Sequence, residues 1–152
     1  AIEESRRLTY DLSPPILYEL GLLPAIKWKL EQFEKDFNIS TKLIIGTPDI
    51  KLSKENNIFL YRTIGELLTN TNKHAYASKI TIKQDVNKNM YCISVEDDGK
   101  GIDKTNVKTP SDKGGFGLLS ISERIENMNG TFKIEATKKG TLAEIEIPYT
   151  IN

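Results

Sequence analysis

Cysteine, histidine and tryptophan each occur only once in this chain of 152 residues. The single cysteine, Cys92, excludes an intramolecular disulfide and a cysteine-rich zinc site, and it suits a reducing compartment. An excess of one charge is missing too, since 21 acidic residues balance 21 basic ones. That balance speaks against nucleic-acid binding through bulk charge and against a polybasic membrane anchor, so no nucleic-acid partner is expected. No apolar run approaches membrane-spanning length, and no secretory signal is visible. The expected location is cytoplasmic; whether a parent protein is membrane-anchored stays open. Internal repeats and low-complexity segments are absent. The length fits one domain with a single core. Trp28 lies off the apolar stripe of its helix and reads as a packing residue against the N-terminal arm. Cys92, inside a strand pattern, reads as packing rather than as a reactive thiol.

What is present is pattern. Ser53 is an N-cap before a run of good helix formers from about Lys54 to Ala75. Leu60, Ile64, Leu67 and Leu68 fall at i, i+4, i+7 and i+8 and make one apolar stripe. Glu66, Asn70, Lys73 and His74 share the same spacing on a neighbouring stripe. A carboxylate, an amide, an ammonium and an imidazole therefore project side by side. An amide oxygen suits Mg²⁺, a hard cation that keeps several waters. Lys73 offers charge to phosphate oxygens. Glu66 has the chemistry to orient or deprotonate an attacking group. A solvated helix face explains the same four residues, and from this helix alone it is the slightly better reading.

Met90 to Glu96 alternates as a half-buried strand does, with Tyr91, Ile93 and Val95 on one side and Cys92 and Ser94 on the other. It runs into Asp97-Asp98-Gly99-Lys100-Gly101. A carboxylate at a strand end can accept from an exocyclic amine while glycine backbone passes close to a flat ring. An ordinary turn accounts for Asp98-Gly99 but gives no reason for the second glycine. Gly114-Gly115-Phe116-Gly117-Leu118 then precedes a helix whose apolar face is Leu118, Ile121, Ile125 and Met128, with Gly130 as its stop. Glycines that open a helix let bare N–H groups meet phosphate, although a flexible loop is the plainer explanation.

The remaining elements follow from the same rules. Ile2 to Leu12 reads as the end of a helix, and Pro14-Pro15 as a stiff connection after it. Leu23 to Phe37 is amphipathic, with Ile26, Leu30, Phe33 and Phe37 on one side. Thr41 to Ile45 is a strand. Lys79 to Gln84 and Tyr91 to Glu96 form a hairpin through Asn87-Lys88-Asn89. Asp103 to Gly115 is a polar loop, and Thr131 to Ala136 and Leu142 to Ile147 are closing strands. The class is α+β: a two-layer α/β sandwich, with three helices on one face of a mixed, largely antiparallel sheet of about five strands.

Together and in this order, the three chemistry-bearing segments resemble the N, G1 and G2 boxes of the GHKL ATPases: gyrase, the heat-shock chaperone ATPase, histidine kinases and MutL. The version here, Glu66 through His74-Ala75 with Asp97-Asp98-Gly99-Lys100-Gly101 and Gly115-Phe116-Gly117-Leu118, looks like a sensor histidine kinase of the nitrate/desiccation-type (NarL-partner) subfamily. Leu12-Ser13-Pro14-Pro15-Ile16-Leu17 and Leu20-Gly21-Leu22 resemble that subfamily's passage from dimerisation helix to catalytic domain. The resemblance implies the Bergerat/GHKL fold, ATP and Mg²⁺. It implies residues 1–15 as the tail of a dimerisation helix with its linker, and residues 16–152 as the ATP-binding domain. Asn70 would hold the Mg²⁺ that bridges the phosphates. Asp97 would take the adenine amine, with Gly99 and Gly101 letting the ring and lid approach and Ile102 near the ring. Lys73 and His74 would sit near phosphates or ribose. Gly115, Gly117 and Leu118 would form the end of an ATP lid over residues 103–115. Thr141 would reach the adenine through water. Glu66 matches the base of the hydrolase members and in a kinase would orient or deprotonate the acceptor.

One departure bears on the partner. These kinases phosphorylate a histidine on the dimerisation helix, and the only histidine here, His74, lies inside the nucleotide motif. Its other reading is a structural ring at a helix end. The acceptor is thus expected on a dimerisation domain outside this chain. The chain starts without methionine in a mid-helix pattern, which reads as an excised catalytic domain, itself monomeric, from a homodimeric parent that signals to a response regulator. An anti-sigma-factor-type serine kinase of the same superfamily and a non-catalytic nucleotide-binding module are the alternatives. The Pro14-Pro15 and Leu20-Gly21-Leu22 segments favour the histidine kinase over the first, and an intact Glu66 and Asn70 speak against the second.

Overall fold

A computed structural model describes residues 14–71, 77–99, 115–138 and 140–149. The inferred helix over residues 2–12 lies outside them. Pro15 does more than stiffen a connection: it opens a short helix, α1 (Pro15–Leu20). The first turn of a helix has no use for the missing N–H, and the fixed φ of proline suits it. Gly21, at φ 94°, turns the chain into α2 (Leu22–Phe37), which buries Leu22, Ala25, Ile26, Leu30 and Phe33. Phe37, expected on that buried side, is 46% exposed at the last position of the helix. Its ring packs on Phe33 instead, 4.8 Å away.

After β1 (Ser40–Ile45), α3 (Lys54–Asn70) begins where the Ser53 side chain accepts from the Asn56 N–H at 3.1 Å. Its Leu60, Ile64, Leu67 and Leu68 are all buried. The helix is described as far as its C-cap, Thr71; residues 72–76 lie outside the description. β2 (Lys79–Asn87) continues three residues past the expected Gln84 and meets β3 (Met90–Asp97) through Lys88 and Asn89, both at positive φ. Two positive-φ residues give the turn twist that matches a hairpin. Then come α4 (Gly115–Asn127), β4 (Thr131–Thr137) and β5 (Gly140–Pro148).

The strands order as β1-β2-β3-β5-β4, and only the β1–β2 pair is parallel. Burial alternates cleanly along the inner strands. Ile80, Ile82, Tyr91, Ile93, Val95, Ala143, Ile145 and Ile147 face the helices, while Lys83, Cys92, Ser94 and Glu144 lie on the other face. Leu118, Ile121 and Ile125 of α4 join the same core. Each fully buried Leu or Ile contributes about 1.5–3 kcal/mol relative to leaving it exposed. The two layers set up the site: β3 is the central strand, and its last residue lies beside the start of β5 and the end of α3.

Candidate functional site

Asp97 closes β3 with its side chain on the buried face, 5% exposed. Its register partner across β5 is Thr141. Gly99 N–H donates to one carboxylate oxygen at 2.9 Å, and the Thr71 hydroxyl donates to the other at 3.2 Å. Two segments about 26 positions apart in sequence, the end of α3 and the end of β3, are therefore joined at the acid itself. Burial pushes the Asp97 carboxyl above its usual range. Hydrogen bonds from Gly99, Thr71 and the Thr141 backbone pull it back, and the neighbouring Asp98 pushes it further up. Its charge is under-solvated, so an additional N–H donor from a ligand would be favoured there.

Gly140 makes this closeness feasible. At φ 152° its α-carbon is so close to the β3 end that a Cβ would lie 1.9 Å from the Asp97 carbonyl oxygen. Asp98, read beforehand only as half of a turn, has a structural task. One oxygen accepts from the N–H groups of Ser78 and Lys79, at 2.8 and 2.9 Å, and the other from the Ser78 hydroxyl at 2.6 Å. The Ser78 hydroxyl above all holds this exposed carboxyl below its usual range. A depressed folded pKa stabilises the fold above the unfolded value and loses that contribution as pH falls through the folded one. We expect Asp98→Ala to lower Tm by about 2–4 °C at pH 7, the size of about one lost hydrogen bond. The deficit should be smaller at pH 3, below the ordinary value of 3.8, than at pH 7. Thermal melts at both pH values check this; equal deficits would show that the carboxylate charge is irrelevant.

Asn70 precedes Thr71 at the same helix end and is half-buried. Its Nδ2 is buried without a hydrogen-bond partner, and so is the Thr141 hydroxyl. Buried polar atoms left unpaired are costly, and these two belong to the neighbour of Thr71 and to the register partner of Asp97. Glu66 lies one turn back on α3. It lines a cleft of about 390 Å³ between α3 and α4, with Phe59, Arg62, Ile121 and Arg124 among its walls. The Arg124 guanidinium lies over the Phe59 ring, 5.1 Å from its centroid.

The other expected site residues divide. Leu118 is 3% exposed and packs in the core. Gly115 opens α4 and Gly117 is in its first turn. Lys73, His74, Gly101, Ile102 and the lid over residues 103–114 lie outside the described residues. Among the described residues no three His, Cys, Asp or Glu side chains cluster as metal ligands. Cys92 is half-buried on the open face of the sheet, and its thiol is pushed up by burial and by Glu146, which keeps it unreactive. One contributor, Thr71, had no role in the sequence reading, and Gly140 stood there only beside Thr141 as a fit to the family pattern. Thr71 gave no signal; Gly140 did, as a glycine directly before a strand residue opposite the acid.

The family model of the histidine kinase-, DNA gyrase B- and HSP90-like ATPase matches residues 55–151. The signal transduction histidine-protein kinase/phosphatase DegS of Brevibacillus brevis is 33% identical over 151 residues, 99% of this chain and 38% of that protein. The oxygen sensor histidine kinase NreB of Staphylococcus carnosus is 30% identical over 150 residues, 98% of this chain and 42% of that protein. The chain therefore spans well under half the length of these relatives. The catalytic domain of the histidine kinase ThkA superposes with a TM-score of 0.69 over 86% of this chain and 93% of that one, at 20% identity. The Acinetobacter baumannii histidine kinase AdeS gives 0.69 over 99% and 81%, at 15% identity. These two likenesses support the fold alone.

Proposed function

We propose that this chain, which belongs to the histidine kinase-, DNA gyrase B- and HSP90-like ATPase family, is the ATP-binding catalytic domain of a sensor histidine kinase. The observation that carries the reading is the buried, under-solvated Asp97 carboxylate, tied by Thr71 to the helix end that bears Asn70. Within the sensor kinases, the nitrate/desiccation-type (NarL-partner) subfamily is the closer assignment; the relatives DegS and NreB are consistent with it. Residues 1–15 are the tail of a dimerisation helix and linker, and residues 16–152 the catalytic domain.

The base amine donates to Asp97, with Gly99 at the ring and Thr141 offering its hydroxyl to the same end. The half-buried Asn70 amide fits a metal ligand: its nitrogen lacks a partner in the fold, and its oxygen is the hard donor that Mg²⁺ prefers. Mg²⁺ when bound would neutralise the charge of the phosphate oxygens. Lys73, His74, Gly101, Ile102, Gly115, Gly117 and Leu118 complete the nucleotide end on the family pattern, with Leu118 acting from the core by fixing where α4 begins. The chain itself positions groups and forms no covalent intermediate. The phosphoryl group leaves ADP for an imidazole nitrogen supplied by the dimerisation domain. Glu66, in its open cleft, orients that ring and accepts the proton displaced from it. The parent is a homodimer that passes the phosphoryl group to a response regulator.

Calorimetric titration with Mg·ATP tests this. The wild-type chain binds, and Asn70→Ala weakens binding by about 10- to 100-fold while leaving the melting curve intact. Equal affinities for both would put the pocket in the wrong place.

A further inference from the structure

Thr71 carries a hydroxyl that its own helix does not use. It is the C-cap of α3, with its N–H already bonded to the Leu67 and Leu68 carbonyls. At 7% exposure, a valine of the same shape would fill its space. Burying a hydroxyl costs free energy unless it finds a partner, and the partner here is the Asp97 carboxylate at 3.2 Å. Gly99 N–H holds the opposite oxygen of the same group. The last torsion of an aspartate side chain is broad and weakly determined by its own preferences. Gly99 and Thr71, on different oxygens, determine it together with the Thr141 backbone. A carboxylate has about four acceptor positions, so at least one remains for a ligand once these are used.

We propose that Thr71 is a positioning residue for base recognition: its hydroxyl fixes the Asp97 carboxylate so that the exocyclic amine of a purine meets an acceptor already oriented. This rests on Asp97 as the base-binding acid. Thr71 directly follows Asn70, so one helix terminus serves both the base and the metal ends of the nucleotide. A simpler role, a staple between α3 and β3, makes a different prediction. A staple holds the whole pocket and would affect every nucleotide alike; a positioning hydroxyl matters only to ligands that carry the amine.

The experiment compares Mg·ATP with Mg·purine riboside 5′-triphosphate, which has hydrogen in place of the 6-amino group, on wild type, Thr71→Val and Thr71→Ser. Thr71→Val should weaken ATP by about tenfold and change the analogue by less than about twofold. Thr71→Ser should bring ATP back to within about threefold of wild type. Equal losses for the two nucleotides, or no loss at all, overturn the proposal. A wild-type chain that binds ATP and the analogue equally well overturns the role of Asp97, and with it the inference. Loss of ATP discrimination in Thr71→Val alone leaves the Asp97 reading standing and supports the hydroxyl's part in it.

Discussion

Alanine at Gly140 is expected to cost about 3–5 kcal/mol, a large share of what a domain of this size has. The added Cβ would lie 1.9 Å from the Asp97 carbonyl oxygen, 2.7 Å from its carbon and 2.9 Å from the Asp98 Cα. All three are backbone atoms, so no side chain can swing aside. Gly140 also sits at φ 152°, where a side chain is strained in any case. Relief needs the first residues of β5 to part from β3, and Thr141 is the residue paired with Asp97. Tm should fall by about 10 °C, and ATP binding should go with it. A variant that melts within a degree or two of wild type would mean that the β3–β5 junction is looser than described.

Asp97→Asn should separate binding from stability, in opposite directions. Losing the charged acceptor weakens ATP by about 10- to 100-fold, the range for a hydrogen bond to an ionised group. The fold itself gains. Burial raises the Asp97 pKa above the ordinary 3.8, so only between the unfolded and folded values does the native state keep a proton that the unfolded chain has released. Stability therefore declines as pH rises from the unfolded value through the folded one, and stays lower above it. Asparagine removes that loss. Its amide oxygen still accepts from Gly99, and its NH₂ can donate to the Thr71 oxygen. The variant should melt higher than wild type at pH 7, with the gap closing as pH falls towards 3.8. A lower Tm at neutral pH would show that the carboxylate is better satisfied than its burial implies.

Much of this was legible beforehand where periodicity and burial agree. The stripe of Leu60, Ile64, Leu67 and Leu68 and the alternation of Tyr91, Ile93 and Val95 became core because each repeats with its element's own period. Errors came where context overrides pattern. Phe37 keeps the helical spacing of Phe33, but nothing covers a helix after its last turn. Pro15 punctuates a sequence in two ways, as a stop for one helix or as the first residue of the next, and local pattern does not choose between them. Asp85, Val86 and Asn87 extend β2 because β3 supplies ladder partners for each, although Asp85 and Asn87 by themselves disfavour a strand. In the site, Asp97 and Asn70 were readable as chemistry at special places. Thr71 and Asp98 were not, since their roles depend on what lies opposite them in space. A threonine near a helix end and an aspartate before a glycine have many duller explanations.

Asp97, the acid proposed to take the base, belongs to the middle one of five strands, with β2 on one flank and β5 on the other. Sheets fray from their rims, and here the rims are β1 and β4. Either can peel away without breaking a ladder bond of the strand that ends in Asp97. The Asp97 end of β3 is thereby insulated from the motions that exposed edges undergo, so a nucleotide bound as proposed would meet a rigid anchor even while the periphery breathes.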